Sequence, residues 1–133
     1  MESSGGSKSE KVLIVDDDRL VRGALERQMA ALGLQTLSAG GGARGLALLE
    51  LSKPDFVLLD LRMPGMDGHA FLQELAKRKP RAAVIVLSGD ATVRDRVDVL
   101  IAGAVQFVRK PWSEADLVAA LERGRKRLAA SPA

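Results

Sequence analysis

Four short apolar runs in this chain end on residues able to do chemistry. VLIV runs into Asp16 and Asp17, FVLL into Asp60, VIVL into Ser88, and QFVR into Lys110. In a parallel α/β sheet, ligands collect outside the carboxyl ends of the strands, so these endings converge on one place although they lie far apart in sequence. Three carboxylates, a hydroxyl and an ammonium then share a pocket. The carboxylates repel one another unless a cation sits among them or one takes a proton. With oxygen donors only and no cysteine in the chain, the set suits a hard ion. Mg²⁺ is the natural choice, because it accepts one or two carboxylates, keeps several waters and welcomes a phosphate. Lys110 adds a further positive charge and Ser88 a hydroxyl donor. Those surroundings suit phosphoryl transfer, where catalysis is chiefly positioning and neutralisation of the equatorial oxygens. Asp60 is the nucleophile in this reading and forms an acyl phosphate.

The elements that must hold these residues are legible from periodicity. Short β-branched apolar runs at about 11–16, 34–39, 55–60, 82–88 and 105–109 read as strands, with stretches of helical period between and after them. Gly33, Lys53-Pro54, Lys79-Pro80 and Gly103 punctuate the boundaries. In the last helix Ser113 can cap, Asp116 completes a capping box and Trp112 can staple onto Leu117; Leu117, Leu121 and Leu128 mark the buried stripe. Strands reading VLIV, FVLL and VIVL are apolar on both faces, as a sheet covered by helices on each side requires. Five βα units in a doubly wound α/β sandwich are expected.

At 133 residues the chain suits one domain. Residues 1–10 are small and polar and read as a flexible lead-in, 11–128 as the folded domain and 129–133 as a tail. No apolar stretch approaches the length of about 20 residues that a membrane span needs. No basic-then-apolar leader precedes the domain, so a cytoplasmic location is expected. The net charge is +3, but it is spread through the helices. Only Arg123, Arg125, Lys126 and Arg127 form a tight run, read as a solvated last turn complementing the helix dipole. Aromatic residues make up 3% of the chain, which leaves few platforms for stacking bases, so no direct binding of nucleic acid is expected.

The segments VLIVDDD, VLLDLRMPGMDG, VIVLSGD and FVRKPW together resemble the signature segments of the response-regulator receiver domain of two-component signalling. The resemblance covers about residues 11–128. It implies a flavodoxin-like (βα)5 fold with a parallel five-stranded sheet of order 2-1-3-4-5. It places the acidic pair on Asp16 and Asp17, the phosphoacceptor on Asp60, the switch hydroxyl on Ser88, the lysine on Lys110 and the aromatic switch on Phe107. Asp16 and Asp17, rather than the pair shifted to Asp18, keep the family's spacing to Arg22. Asp17, Asp60 and the backbone carbonyl of Arg62 are the implied direct Mg²⁺ ligands, with Asp16 holding a coordinated water. Arg62 and Asp90 fall on the two variable positions flanking the path of the hydrolytic water, where an Arg–Asp pair would slow phosphate loss.

The implied partners are a histidine kinase or histidine phosphotransfer protein as donor and an output domain or effector protein as recipient. The domain catalyses its own phosphorylation and a slow autodephosphorylation in this reading. A homodimer through the surface of the fourth helix, fifth strand and fifth helix is a further expectation, with Arg94, Asp95, Arg96 and Asp98 as rim charges. Two other readings compete. A degenerate receiver would serve only as an interaction module, but its mark, a missing acid or lysine, is lacking. The run from Gly40 to Gly45 matches GxGxxG, and Asp60 follows about where a Rossmann acid would bind ribose. That dinucleotide-binding reading leaves Asp16, Asp17, Ser88 and Lys110 unexplained. Asp16 to Asp18 taken alone would read as helix caps, and His69, the single histidine, as a surface residue.

Overall fold

A computed structural model describes residues 9–61, 68–89, 100 and 103–130. The chain runs β1 (Lys11–Val15), α1 (Arg19–Ala31), β2 (Gln35–Ala39), α2 (Gly42–Ser52), β3 (Phe56–Asp60), α3 (Gly68–Arg78), β4 (Ala83–Ser88), β5 (Gln106–Arg109) and α4 (Glu114–Ala130). The helix expected between β4 and β5 falls outside the described residues apart from Leu100. The five strands are parallel in the order β2-β1-β3-β4-β5, the flavodoxin-like order the motif resemblance implies.

The strands are hydrophobic throughout because both faces are covered. Val12, Ile14, Phe56, Leu58, Ile85 and Leu87 point to a core closed by Leu25 and Met29 of α1 and by Leu117, Ala120 and Leu121 of α4. Their neighbours Leu13, Val15, Val57, Leu59, Val84 and Val86 point the other way, against Leu46 and Leu49 of α2 and Phe71, Leu72 and Leu75 of α3. Every residue of β3 and β4 is buried, whereas the edge strand β2 buries only Ala39. That difference follows from position: a central strand has helices on both sides and neighbours at both edges.

The boundary signals operate as local chemistry. Gly33 and Gly103 take left-handed backbone (φ 92° and 110°), and Lys53 and Lys79 do the same (φ 47° and 48°) before Pro54 and Pro80. A left-handed residue ends a helix, and the proline after it cannot continue one. In α4 the expected capping box is formed: the Asp116 amide donates to Ser113 Oγ at 3.1 Å, and the Ser113 amide donates to Asp116 Oδ2 at 2.8 Å. Trp112 packs against the same core cluster that holds Leu117 and donates from Nε1 to Gln28 Oε1 at 2.9 Å.

The basic run near the C-terminus is partly tied down rather than simply solvated. Arg125 donates to both carboxylate oxygens of Glu10, at 2.8 and 2.7 Å, and stands 5.8 Å from the centroid of the Phe56 ring. The bond to Glu10 outweighs partial burial and holds the guanidinium above its ordinary value. Glu10, counted with the polar lead-in on sequence grounds, is thus in contact with the fold; its carbonyl also accepts from the Gln35 amide at 2.8 Å. Arg127 donates to the Gly103 carbonyl at 3.4 Å.

Candidate phosphoacceptor site

The site is assembled by strand register. Asp16 follows β1 directly, Asp60 ends β3 opposite Leu87, and Ser88 ends β4 opposite Arg109. Since β1, β3, β4 and β5 are consecutive neighbours, their carboxyl ends bring the sequence-predicted residues to one edge of the sheet. One oxygen from each of Asp16, Asp17 and Asp60 lies within 4.8 Å of the others. Asp16 and Asp60 are buried, at 2% and 7% exposure, while Asp17 is open to solvent. Lys110 Nζ stands 3.4 Å from Asp16 Oδ2 and 3.8 Å from Asp60 Oδ1. Ser88 is buried at the next strand end, and its carbonyl accepts from the Lys110 amide at 3.1 Å.

The run of three acids divides its labour. Asp18 is the N-cap of α1: its Oδ1 accepts from the Leu20 and Val21 amides at 2.9 and 3.3 Å. Asp16 Oδ1 accepts from the Asp18 amide at 2.9 Å, which turns the chain from strand to helix. The helix-cap reading of these acids therefore describes Asp18, and it leaves Asp16 and Asp17 at the cluster. Arg22, four residues into α1, donates from Nη1 to the Asp16 carbonyl at 2.8 Å.

Two buried carboxylates and an exposed one, with an ammonium beside them, leave an excess of negative charge that a hard cation would balance. Asp16, Asp17 and Asp60 offer oxygen donors on one open-sided cluster, so the donor set fits a divalent ion of the Mg²⁺ kind. Phe107 on β5 is half-buried and packs against the α2–α3 core. Arg62, Asp90, Arg94, Asp95, Arg96 and Asp98 lie outside the described residues, as does the side chain of His69.

Sequence reasoning passed over Gly68. A Cβ there would lie 2.4 Å from Leu61 Cα and 2.7 Å from the Asp60 carbonyl, and its amide donates to the Leu61 carbonyl at 2.8 Å. Only a glycine lets the start of α3 press onto the backbone that presents Asp60. The signal in the sequence is the glycine that closes VLLDLRMPGMDG, just before the third helical stretch. The GxGxxG match begins just after the edge strand and runs into the first turn of α2. Its last glycine, Gly45, packs against Val15 and Phe71, where a Cβ would come within 3.0 Å of each. Asp60, which a dinucleotide site would direct to ribose, belongs instead to the acid cluster.

The sequence profile of the response regulator receiver domain matches residues 12–122. The transcriptional regulator NtrC of Escherichia coli K12 is 38% identical over 112 residues, covering 84% of this chain and 24% of that protein. A probable transcriptional regulator, ycf27, of Porphyridium aerugineum is 33% identical over 121 residues, covering 91% of this chain and 50% of that protein. The chain thus spans half or less of these relatives. Among solved structures, a CheY-like response regulator receiver domain protein from Methanospirillum hungatei JF-1 superposes with a TM-score of 0.86 at 26% identity, covering 93% of this chain and all of that one. The chain belongs to the response regulator receiver domain family.

Proposed function

We propose that this domain accepts a phosphoryl group on Asp60 from the phosphohistidine of a histidine kinase or phosphotransfer protein, with Mg²⁺ bound. The observation that carries the reading is the buried Asp60 carboxylate, with Asp16 and Asp17 oxygens within 4.8 Å and Lys110 Nζ at 3.8 Å. A carboxylate oxygen of Asp60 attacks phosphorus, the P–N bond to the donor imidazole breaks, and the electron pair returns to that ring. Asp17, Asp60 and the carbonyl of Arg62 would hold Mg²⁺ directly and Asp16 through a coordinated water, and the ion would supply charge neutralisation for the phosphoryl oxygens. Lys110 then turns from the bare carboxylates to a phosphoryl oxygen, and Ser88 supplies a hydroxyl donor from the neighbouring strand end.

The phosphoryl group adds about one negative charge at neutral pH relative to the carboxylate it modifies. Ser88 and Lys110 follow that charge, and Phe107 repacks. The population shift alters the surface formed by the segment between β4 and β5, the strand β5 and the helix α4. An effector or a second copy of the chain docks there, in the cytoplasm. The names of the relatives, transcriptional regulators, support an output in gene control.

Intact-mass analysis after incubation with Mg²⁺ and acetyl phosphate tests the reading. One labile phosphoryl group is expected on the wild type, and none on Asp60→Asn or with a chelator. If the wild type also gains none from a histidine kinase, the domain is an interaction module rather than a phosphoacceptor.

A further inference from the structure

Both peptide groups and both carboxylate oxygens of Asp16 are engaged. Its amide donates to the Ala39 carbonyl at 3.1 Å, Oδ1 accepts from Asp18, and Oδ2 faces Lys110 at 3.4 Å. Its own carbonyl is held by Arg22 Nη1 at 2.8 Å. That guanidinium lies over Gly40, where the three atoms nearest to a Cβ would be Nη1 at 3.1 Å, Cζ at 3.6 Å and Nη2 at 3.9 Å. Gly40 is not in the left-handed region, so its backbone does not itself demand a glycine. What a side chain would meet first there is Arg22.

We propose that Arg22 is a positioning residue for the acid cluster, and that Gly40 is the slot that lets it reach the Asp16 carbonyl. The inference rests on the reading of Asp16, Asp17 and Asp60 as a metal site. A charge-assisted bond to a main-chain carbonyl is strong and directional. Here it fixes the peptide joining Asp16 to Asp17, and so the direction in which both carboxylates leave the chain. Arg22 bonds to the main chain of Asp16 rather than to its carboxylate, so it acts through Asp16. The first glycine of the GxGxxG match thus gains a role in the acid site, with no nucleotide involved.

The test is Mn²⁺ affinity, read from the loss of the free-ion EPR signal, with amide exchange at Asp18 as a second readout. Outer-sphere partners of metal ligands typically change affinity by about 10- to 100-fold, so Arg22→Ala is expected to weaken Mn²⁺ by about tenfold and to speed exchange at Asp18. Arg22→Lys, which keeps a cation able to reach the carbonyl, recovers most of the affinity. Gly40→Val reproduces the loss in the presence of Arg22 and adds nothing to Arg22→Ala. Exchange at Val57 and Leu58 in β3 stays at the wild-type rate, which separates positioning from unfolding. Wild-type affinity in Arg22→Ala, or losses that multiply in the double variant, overturns the inference. A wild type that binds Mn²⁺ but takes no phosphoryl group overturns the phosphoacceptor reading alone, because the comparison among these variants does not depend on phosphorylation.

Discussion

At the residue scale the acid cluster sets function against stability, and two substitutions in it have opposite signs. Asp60 feels two carboxylates and one ammonium, so the metal-free protein is relieved when its charge is removed. Asp60→Asn is therefore expected to stabilise the metal-free domain by about 1 kcal/mol while abolishing phosphorylation. Lys110→Met does the reverse. It keeps the apolar stem but leaves Asp16 and Asp60 without their shared cation, and because Lys110 is itself partly exposed, the cost is about 1 kcal/mol rather than the full penalty of a buried pair. Urea unfolding in EDTA reads both. Destabilisation by Asp60→Asn would mean that the cluster is not net repulsive, and the case for a resident cation would fall with it. These residue types were legible in the sequence because each ends an apolar run. The assignment within Asp16 to Asp18 was not settled by strand endings, since any of the three can cap a helix. It is the Asp18 bonds to the Leu20 and Val21 amides that separate the cap from the cluster.

At the element scale two glycines at helix starts make different demands on their neighbours. Gly68 opens α3 against the backbone of Asp60 and Leu61, and a methyl there meets main chain, which cannot step aside as a flexible side chain can. Gly68→Ala is expected to cost about 2 kcal/mol or more and to slow phosphorylation by displacing the Asp60 carbonyl end of β3. Gly41, the N-cap of α2, has nothing within 4 Å of a Cβ and makes no side-chain capping bond. Gly41→Ser adds a cap hydroxyl in open space and should gain a few tenths of a kcal/mol. Chemical denaturation of the two variants side by side checks the contrast; equal effects would show that helix entry, not contact with β3, governs Gly68. Strand positions were readable to within about a residue because VLIV, FVLL and VIVL carry their burial in their composition. Gly68 was not readable as a packing site, because close approach depends on where the third helix lands, which no local pattern encodes. Arg22 was noticed only as a spacing marker for the same reason: its partner is a backbone carbonyl six residues back, invisible to side-chain patterning.

At the scale of the whole molecule the sheet has a chemical end and a structural end. The carboxyl ends of β1, β3, β4 and β5 carry the acids, Ser88 and Lys110. The opposite end is closed by neutral or compensated contacts: Lys11 donates from its amide to Asp55 Oδ2 at 2.9 Å, and Arg125 clamps Glu10. The two ends are joined by strands of which β3 and β4 are buried along their whole length, and a cation held at one end stabilises the fold only as far as it prefers the folded state over the unfolded chain. The unfolded chain separates Asp16 and Asp17 from Asp60 and offers no comparable cluster. At ten times its dissociation constant, Mg²⁺ should then raise the unfolding free energy by about 1.4 kcal/mol, the value of RT ln 11. The dependence on urea should keep its slope, because the surface exposed on unfolding is unchanged. Asp60→Asn should lose the gain, while Gly41→Ser, whose added Cβ meets no atom within 4 Å, should keep it. An equal gain in Asp60→Asn and wild type would put the stabilising ion elsewhere on the molecule, whereas a gain confined to the wild type and Gly41→Ser ties the stability of the whole sheet to the charge collected at its carboxyl edge.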